Sequence, residues 1–211
     1  MENITDQYRA LLPDNLFLAL GEIGPAFPVD ILSPVEREEY NTFSHRRRRN
    51  EFLSTRGLIK EFVADLGLDE AIFEIEKDDL GKPFGMYQNR RYNLSLAHTG
   101  QKVICGLSQS IPLGVDIEPT DRNVNERLRD RIMHPVEKKE LKEESLLRLW
   151  TLKEALVKLQ GKGLRTNLNQ IKLTPLDKQV FTGIFDNEKR AKICSFKHCN
   201  HWIAVAFYQE N

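Results

Sequence analysis

The sequence predicts an α+β fold assembled as a pseudodimer: two similar α/β halves related by a pseudo-twofold axis, with a ligand cleft between them. Three observations predict it. ILSPVEREEY at residues 31–40 returns as IMHPVEKKEL at 132–141, with Ile, Pro, Val and two Glu in register. FLSTRGLIK at 52–60 lines up with WTLKEALVK at 150–158, through an opening aromatic, Leu58 with Leu156, Ile59 with Val157 and Lys60 with Lys158. SLAHTGQKVICGL at 95–107 lines up with SFKHCNHWIAVAF at 195–207, through Ser95 with Ser195 and His98 with His198. The order is the same in both copies, so the expected halves are residues 1–110 and 111–211, joined through SQSIPL at 108–113.

Taken in chain order, each half reads as a short strand, a turn opening a short helix, a long amphipathic helix, and β-structure that ends in an apolar strand. Pro34 and Pro135 follow Ser33 and His134, and proline suits the first turn of a helix. Phe52, Leu58, Ile59, Phe62 and Val63 make the apolar stripe of the first long helix; Leu146, Leu149, Trp150, Ala155, Leu156 and Val157 make that of the second. YNLSLAH, KVICGLS, LGVDIE, AKICSF and HWIAVAFY read as strands. GLDEAIFEIEKDDLGKPFG and NQIKLTPLDKQVFTGIFDNEK read as additional hairpins.

Composition removes several classes of function. Lys plus Arg equals Asp plus Glu at 31 each, so no global field draws nucleic acid or an anionic membrane. With 40% hydrophobic residues the chain can bury a core, yet no apolar run reaches the ~20 residues of a membrane span. The start, MENITDQYRALLPDN, has no basic segment followed by an apolar one, and three cysteines without a CxxC pair suit a reducing compartment. The expected location is the cytoplasm.

GVDIEP at 114–119 carries the chemistry. On a strand, Asp116 and Glu118 point to one side while Val115 and Ile117 point to the other, so two like charges sit together and call for a cation. The first copy has no such pair, and it has Arg56 where the second has Glu154. Glu154 shares a helix face with Lys158 four residues on. Bundled with Asp116 and Glu118 it completes three hard oxygen ligands for Mg²⁺ or Mn²⁺. The plain readings are a solvated helix pair and an exposed strand face; their coincidence with the asymmetry of the repeat favours a metal site.

GVDIE followed by WTLKEALVKLQGKGL resembles the two signature motifs of 4'-phosphopantetheinyl transferases of the Sfp type. RNEFLSTR, GKPF, LSLAHTG and MHPVE resemble further features of that family, covering most of the chain. The resemblance implies a monomeric pseudodimer that uses coenzyme A as substrate and Mg²⁺ (or Mn²⁺) as cofactor, with coenzyme A in the cleft between the halves. It implies transfer of phosphopantetheine to a serine of an apo acyl or peptidyl carrier protein, with release of adenosine 3',5'-bisphosphate. Asp116, Glu118 and Glu154 are then the metal ligands, Lys158 neutralises the attacked phosphoryl group, and Glu137 is the base for the serine, directly or through water. Arg49, Arg56, Lys82 and His98 grip the nucleotide phosphates, His98 the 3'-phosphate. The chain departs from the family in two places: Glu36 and Glu39 stand where some members have phosphate-binding lysines, and Ala97 replaces a serine before the strand histidine.

Three other readings compete. HRRRR at 45–49 could bind nucleic acid, but it lacks interleaved aromatics, and Arg46 to Arg48 read as a solvated helix face. Cys194, His198, Cys199 and His201 imitate a zinc cluster, but in a strand Cys199 faces away from Cys194 and His198, so four ligands cannot converge without a sharp turn, and the reading is free cysteines in a buried strand. GKGL at 161–164 is too short for a phosphate loop and reads as a helix C-cap. A non-catalytic module that binds coenzyme A or a carrier protein is the remaining alternative.

Overall fold

A computed structural model describes residues 1–24, 27–161, 166–185 and 189–208. The chain opens with a two-residue strand β1 (Glu2–Asn3) and then β2 (Leu16–Glu22). Helices α1 (Pro34–Thr42) and α2 (Arg46–Asp65) follow, then β3 (Glu74–Lys77), β4 (Pro83–Tyr87), β5 (Arg90–His98) and β6 (Lys102–Ser108). The rest repeats that plan: β7 (Leu113–Pro119), helices α3 (Arg129–Ile132), α4 (Glu137–Glu140) and α5 (Leu146–Gln160), then β8 (Ile171–Pro175), β9 (Val180–Phe185), β10 (Ala191–His198) and β11 (His201–Phe207).

Two antiparallel sheets result, ordered β1-β2-β6-β5-β4-β3 and β7-β11-β10-β9-β8. Apart from β1, the orders are identical once each strand is matched to its counterpart in the other half. Both segments read as hairpins form them, β3–β4 and β8–β9.

Alternation along the strands explains the layers. Leu16, Leu18 and Leu20 of β2 meet Val115 and Ile117 of β7 and Ile203 and Val205 of β11 in one core between the sheets. The opposite face of the first sheet, with Ala19, Val103, Cys105 and Leu107, packs on Leu58, Ile59, Phe62 and Val63 of α2. On the second sheet, Ile193, Ala204 and Ala206 pack on Leu149, Leu152, Ala155 and Leu156 of α5. The molecule is therefore layered helix, sheet, sheet, helix.

The two SP and HP turns share a device. Ser33 caps α1 in a capping box, its hydroxyl accepting from the Glu36 N–H and the Glu36 carboxylate accepting from the Ser33 N–H. In the other half the His134 N–H donates to Glu137 Oε2 at 2.7 Å. Each of these buried glutamates also takes a cation from the long helix of its own half, Arg56 Nε at 2.5 Å for Glu36 and Lys153 Nζ at 2.6 Å for Glu137. The short helix is thus locked to the long one. α5 ends where expected, with Gly161 in the left-handed conformation at φ +75°; residues 162–164 of the GKGL reading lie outside the described residues.

Candidate functional site

β7 is laid down by its alternation: Leu113, Val115 and Ile117 enter the core between the sheets, which turns Gly114, Asp116 and Glu118 toward α5. Gly114 allows the approach. A Cβ placed there would lie 2.0 Å from the Ala155 carbonyl oxygen and 2.4 Å from the Leu159 nitrogen, so helix backbone rests directly on strand backbone. Glu154 and Lys158, flanking that contact on the helix, are thereby held beside Asp116. Gly114→Ala is expected to push α5 off the strand, destabilising the protein by about 1–3 kcal/mol in urea unfolding and weakening activity with it.

Lys158 Nζ donates to Asp116 Oδ1 at 2.8 Å, while the buried Oδ2 of Asp116 has no hydrogen-bond partner among the described residues. Burial pushes the Asp116 carboxyl up to about 6; the charges of Glu118 and Glu154 add to the rise and Lys158 opposes it. Glu154 is likewise raised, first by burial and then by Glu118, against the pull of Lys158 and Arg122. Glu118 pairs with Arg122, whose guanidinium lies 5.7 Å from the Trp150 ring centroid.

A hard divalent cation fits this donor set. Three carboxylates repel one another around a buried oxygen that has no donor among the described residues, and a cation relieves both costs. Among the described residues the three do not each bring an oxygen within 4.8 Å of the others, because Glu118 is turned to Arg122 and Asp116 to Lys158. Ligation therefore requires these side chains to swing.

One cavity adjoins the cluster, and a second adjoins the first. The first, of about 230 Å³, is lined by Lys82 and Ser95 from the first half and Glu154, Val157, Lys158 and Gly161 from the second. The other, of about 170 Å³, is lined by Arg48, Glu51, Arg56, Lys77 and His98. Pro83 and Leu96 line both, so the two are neighbours. Lys82 Nζ donates to the Leu159 carbonyl at 2.8 Å across the halves, and burial lowers its pKa. His98 is also lowered, first by desolvation, with Arg48, Lys158 and Arg47 adding to the fall and Glu51 opposing it.

Two predicted residues, Arg49 and Glu137, line neither cavity. Arg49 Nε donates to the Phe43 carbonyl at 2.7 Å and its guanidinium sits over Tyr40, drawing it away from the cavity that Arg56 lines. Arg48, read above as solvated, takes that place; positions 48, 51, 52, 55 and 56 form one helix face, and that spacing was the available signal. Arg56 is committed to Glu36 and stacks on Phe52, in ion-pair contact without hydrogen-bond alignment.

Glu137 is the larger correction. Its side chain is 0% exposed, Oε2 accepts from Lys153 and His134, and Oε1 accepts from the Leu173 N–H at 2.7 Å. Both oxygens are saturated by donors inside the fold, which makes it a lock and not a group open to an incoming hydroxyl. Lys153, whose partners make that lock, was passed over; its signal was a lysine four residues from Leu149 and from Val157 on the apolar stripe.

The zinc reading changes too. Cys194 is buried and donates to the Leu11 carbonyl, and His201 Nδ1 faces the Cys199 carbonyl, so four ligands do not converge. Cys199 is not in a strand: β10 stops at His198, and Cys199 and Asn200, at φ +46° and +59°, make the two-residue turn into β11.

A family model described as the 4'-phosphopantetheinyl transferase superfamily matches residues 112–206. The chain is 30% identical over 172 residues to the 4'-phosphopantetheinyl transferase psf-1 of Bacillus pumilus, covering 77% of this chain and 70% of the relative. It is 28% identical over 150 residues to the 4'-phosphopantetheinyl transferase Sfp of Bacillus subtilis (strain 168), covering 67% of this chain and 65% of that protein. Over 79 residues it is 34% identical to a holo-[acyl-carrier-protein] synthase of Staphylococcus carnosus, covering 34% of this chain and 68% of the relative. The chain thus spans about two thirds of the length of these relatives. Similarity of that degree and extent shows the family: the chain belongs to the 4'-phosphopantetheinyl transferase superfamily.

Proposed function

We propose that the chain transfers the 4'-phosphopantetheine moiety of coenzyme A to a serine of an apo acyl or peptidyl carrier protein in a Mg²⁺-dependent reaction, acting in the cytoplasm as a monomeric pseudodimer of residues 1–110 and 111–211. One observation carries this reading: a buried aspartate with an oxygen that has no donor among the described residues, beside Lys158 and Glu154, which line a cavity walled by both halves. Among the described residues no helix is long and apolar enough to cross a membrane.

The serine oxygen attacks the phosphorus that carries pantetheine, the bond from that phosphorus to the adenosine 3',5'-bisphosphate oxygen breaks, and the serine proton leaves. Such a transfer needs in-line placement and charge neutralisation more than covalent help from the protein. Asp116, Glu118 and Glu154 would hold Mg²⁺, which would supply neutralisation of phosphate charge. Lys158, released from Asp116, donates to an oxygen of the attacked phosphoryl group. Lys82 reaches the pyrophosphate from the opposite wall, and Arg48, Arg56 and His98 line the neighbouring cavity for the 3'-phosphate. Glu154, which lines the cavity beside Lys158, receives the serine proton, a role the buried Glu137 cannot fill.

Intact-mass analysis of a panel of apo carrier proteins incubated with coenzyme A, Mg²⁺ and this protein tests the reading. The expected result is a gain of one phosphopantetheine on a carrier, absent with chelator. Coenzyme A binding with no carrier modified would instead establish the non-catalytic module.

A further inference from the structure

Away from the cleft, Glu2, His198 and Cys199 each bring one potential ligand atom within 4.8 Å of the others. They come from different sheets: Glu2 lies on β1, at the edge of the six-stranded sheet, while His198 and Cys199 lie at the β10–β11 turn of the five-stranded one. We propose that this trio is a binding site for a borderline-soft divalent cation of the zinc class, which ties the edge of one sheet to the hairpin of the other.

The histidine is already oriented as a ligand. The Tyr8 hydroxyl donates to the Lys197 carbonyl at 3.1 Å, so its oxygen accepts from His198 Nδ1, also at 3.1 Å. The tyrosine ring is itself held by stacking on Phe196, with ring centroids 3.6 Å apart. A proton kept on Nδ1 leaves Nε2 as the coordinating nitrogen, the arrangement in which an outer hydrogen bond fixes the tautomer of a metal-bound imidazole.

Nε2 faces Glu2 Oε2 at 3.2 Å. Two ligands held ~2.0–2.1 Å from one tetrahedral zinc ion stand about 3.3 Å apart, so the pair is already spaced for a shared ion in place of the proton between them. Cys199 adds the soft donor, and its thiol proton passes to solvent when the sulfur ligates. Thiolate, carboxylate and neutral imidazole together balance the charge of a divalent ion. Glu2 and Cys199 are exposed, which leaves the fourth position to water. The other two cysteines, Cys105 and Cys194, are buried.

Cobalt(II) is the probe. The reduced protein, free of Mg²⁺, is expected to bind one Co²⁺ at this trio with tetrahedral visible bands and a near-ultraviolet thiolate-to-cobalt charge-transfer band, both removed when Zn²⁺ takes its place. Cobalt in the carboxylate cluster of the cleft gives no sulfur band, so the two sites are distinguished. Cys199→Ser should abolish the charge-transfer band while leaving carrier modification with Mg²⁺ at the unsubstituted protein's level, which shows that the variant folds. Tyr8→Phe keeps the ring stack and loses the hydrogen bond, and should weaken cobalt binding about 10- to 100-fold. Absence of a sulfur band at tenfold excess of cobalt, or a band that survives Cys199→Ser, overturns the proposal.

Discussion

Lys153→Met is expected to destabilise the protein by about 3–5 kcal/mol, read as a fall in the urea midpoint with little change in slope. Lys153 is 0% exposed, and its ammonium donates to Glu137 Oε2 and to the carbonyls of Ile132 at 2.7 Å, Ile171 at 2.9 Å and Leu168 at 3.2 Å. Methionine fills much of the same space but leaves the Glu137 carboxylate charged in a dry interior. Adding Glu137→Leu removes the stranded charge, and the double variant should recover most of the loss. A cost below 1 kcal/mol for the single change would refute the lock. The double variant also separates structure from chemistry: transfer that persists in it rules out Glu137 as the base.

Asp116→Asn should cut phosphopantetheine transfer by about 10³-fold or more while the protein stays folded. In chelator at pH 7 it should also raise stability, by about 1–3 kcal/mol. The sign follows from the carboxyl's rise from 3.8 to about 6 on folding. Below pH 3.8 both states hold the proton and nothing is lost. Between 3.8 and 6 the unfolded chain releases it first, so native stability falls as pH rises, and the full penalty stands above 6. Thermal melts from pH 4 to 8 should therefore decline less steeply in the asparagine variant than in the unsubstituted protein. Mg²⁺ should restore stability to the unsubstituted protein alone; retained transfer in the variant would sink the metal assignment.

Much of this architecture could be read from residues because it is periodic or repeated. The recurrence of SPVE as HPVE and of the strand histidines maps onto two sheets of matching strand order, and the alternation of GVDIEP places its carboxylates on the face toward α5. What escaped depends on partners distant in sequence. Arg49 and Arg56 are two turns apart and share a face in projection, but a carbonyl at Phe43 and the ring of Tyr40 draw Arg49 away. Glu137 looked available because a turn glutamate is usually wet; its burial comes from Lys153 on α5 and the Leu173 N–H on β8. Cys199 falls between AKICSF and HWIAVAFY, the two segments read as strands; His198 ends the first, and a two-residue turn at Cys199 and Asn200 reverses the chain.

The contact at Gly114 sets the tolerance of this protein to sequence drift. Because main chain there meets main chain, the separation between the carboxylate strand and the Glu154–Lys158 helix is fixed without an intervening side chain. Conservative exchanges among the aliphatic residues beneath α5, such as Leu156→Ile or Ile193→Val, then change how firmly the helix is held more than where it sits. Melting temperature and turnover should vary independently across such variants, and lineages of this chain can exchange much of the α5 core while the spacing of Asp116 from Glu154 stays constant.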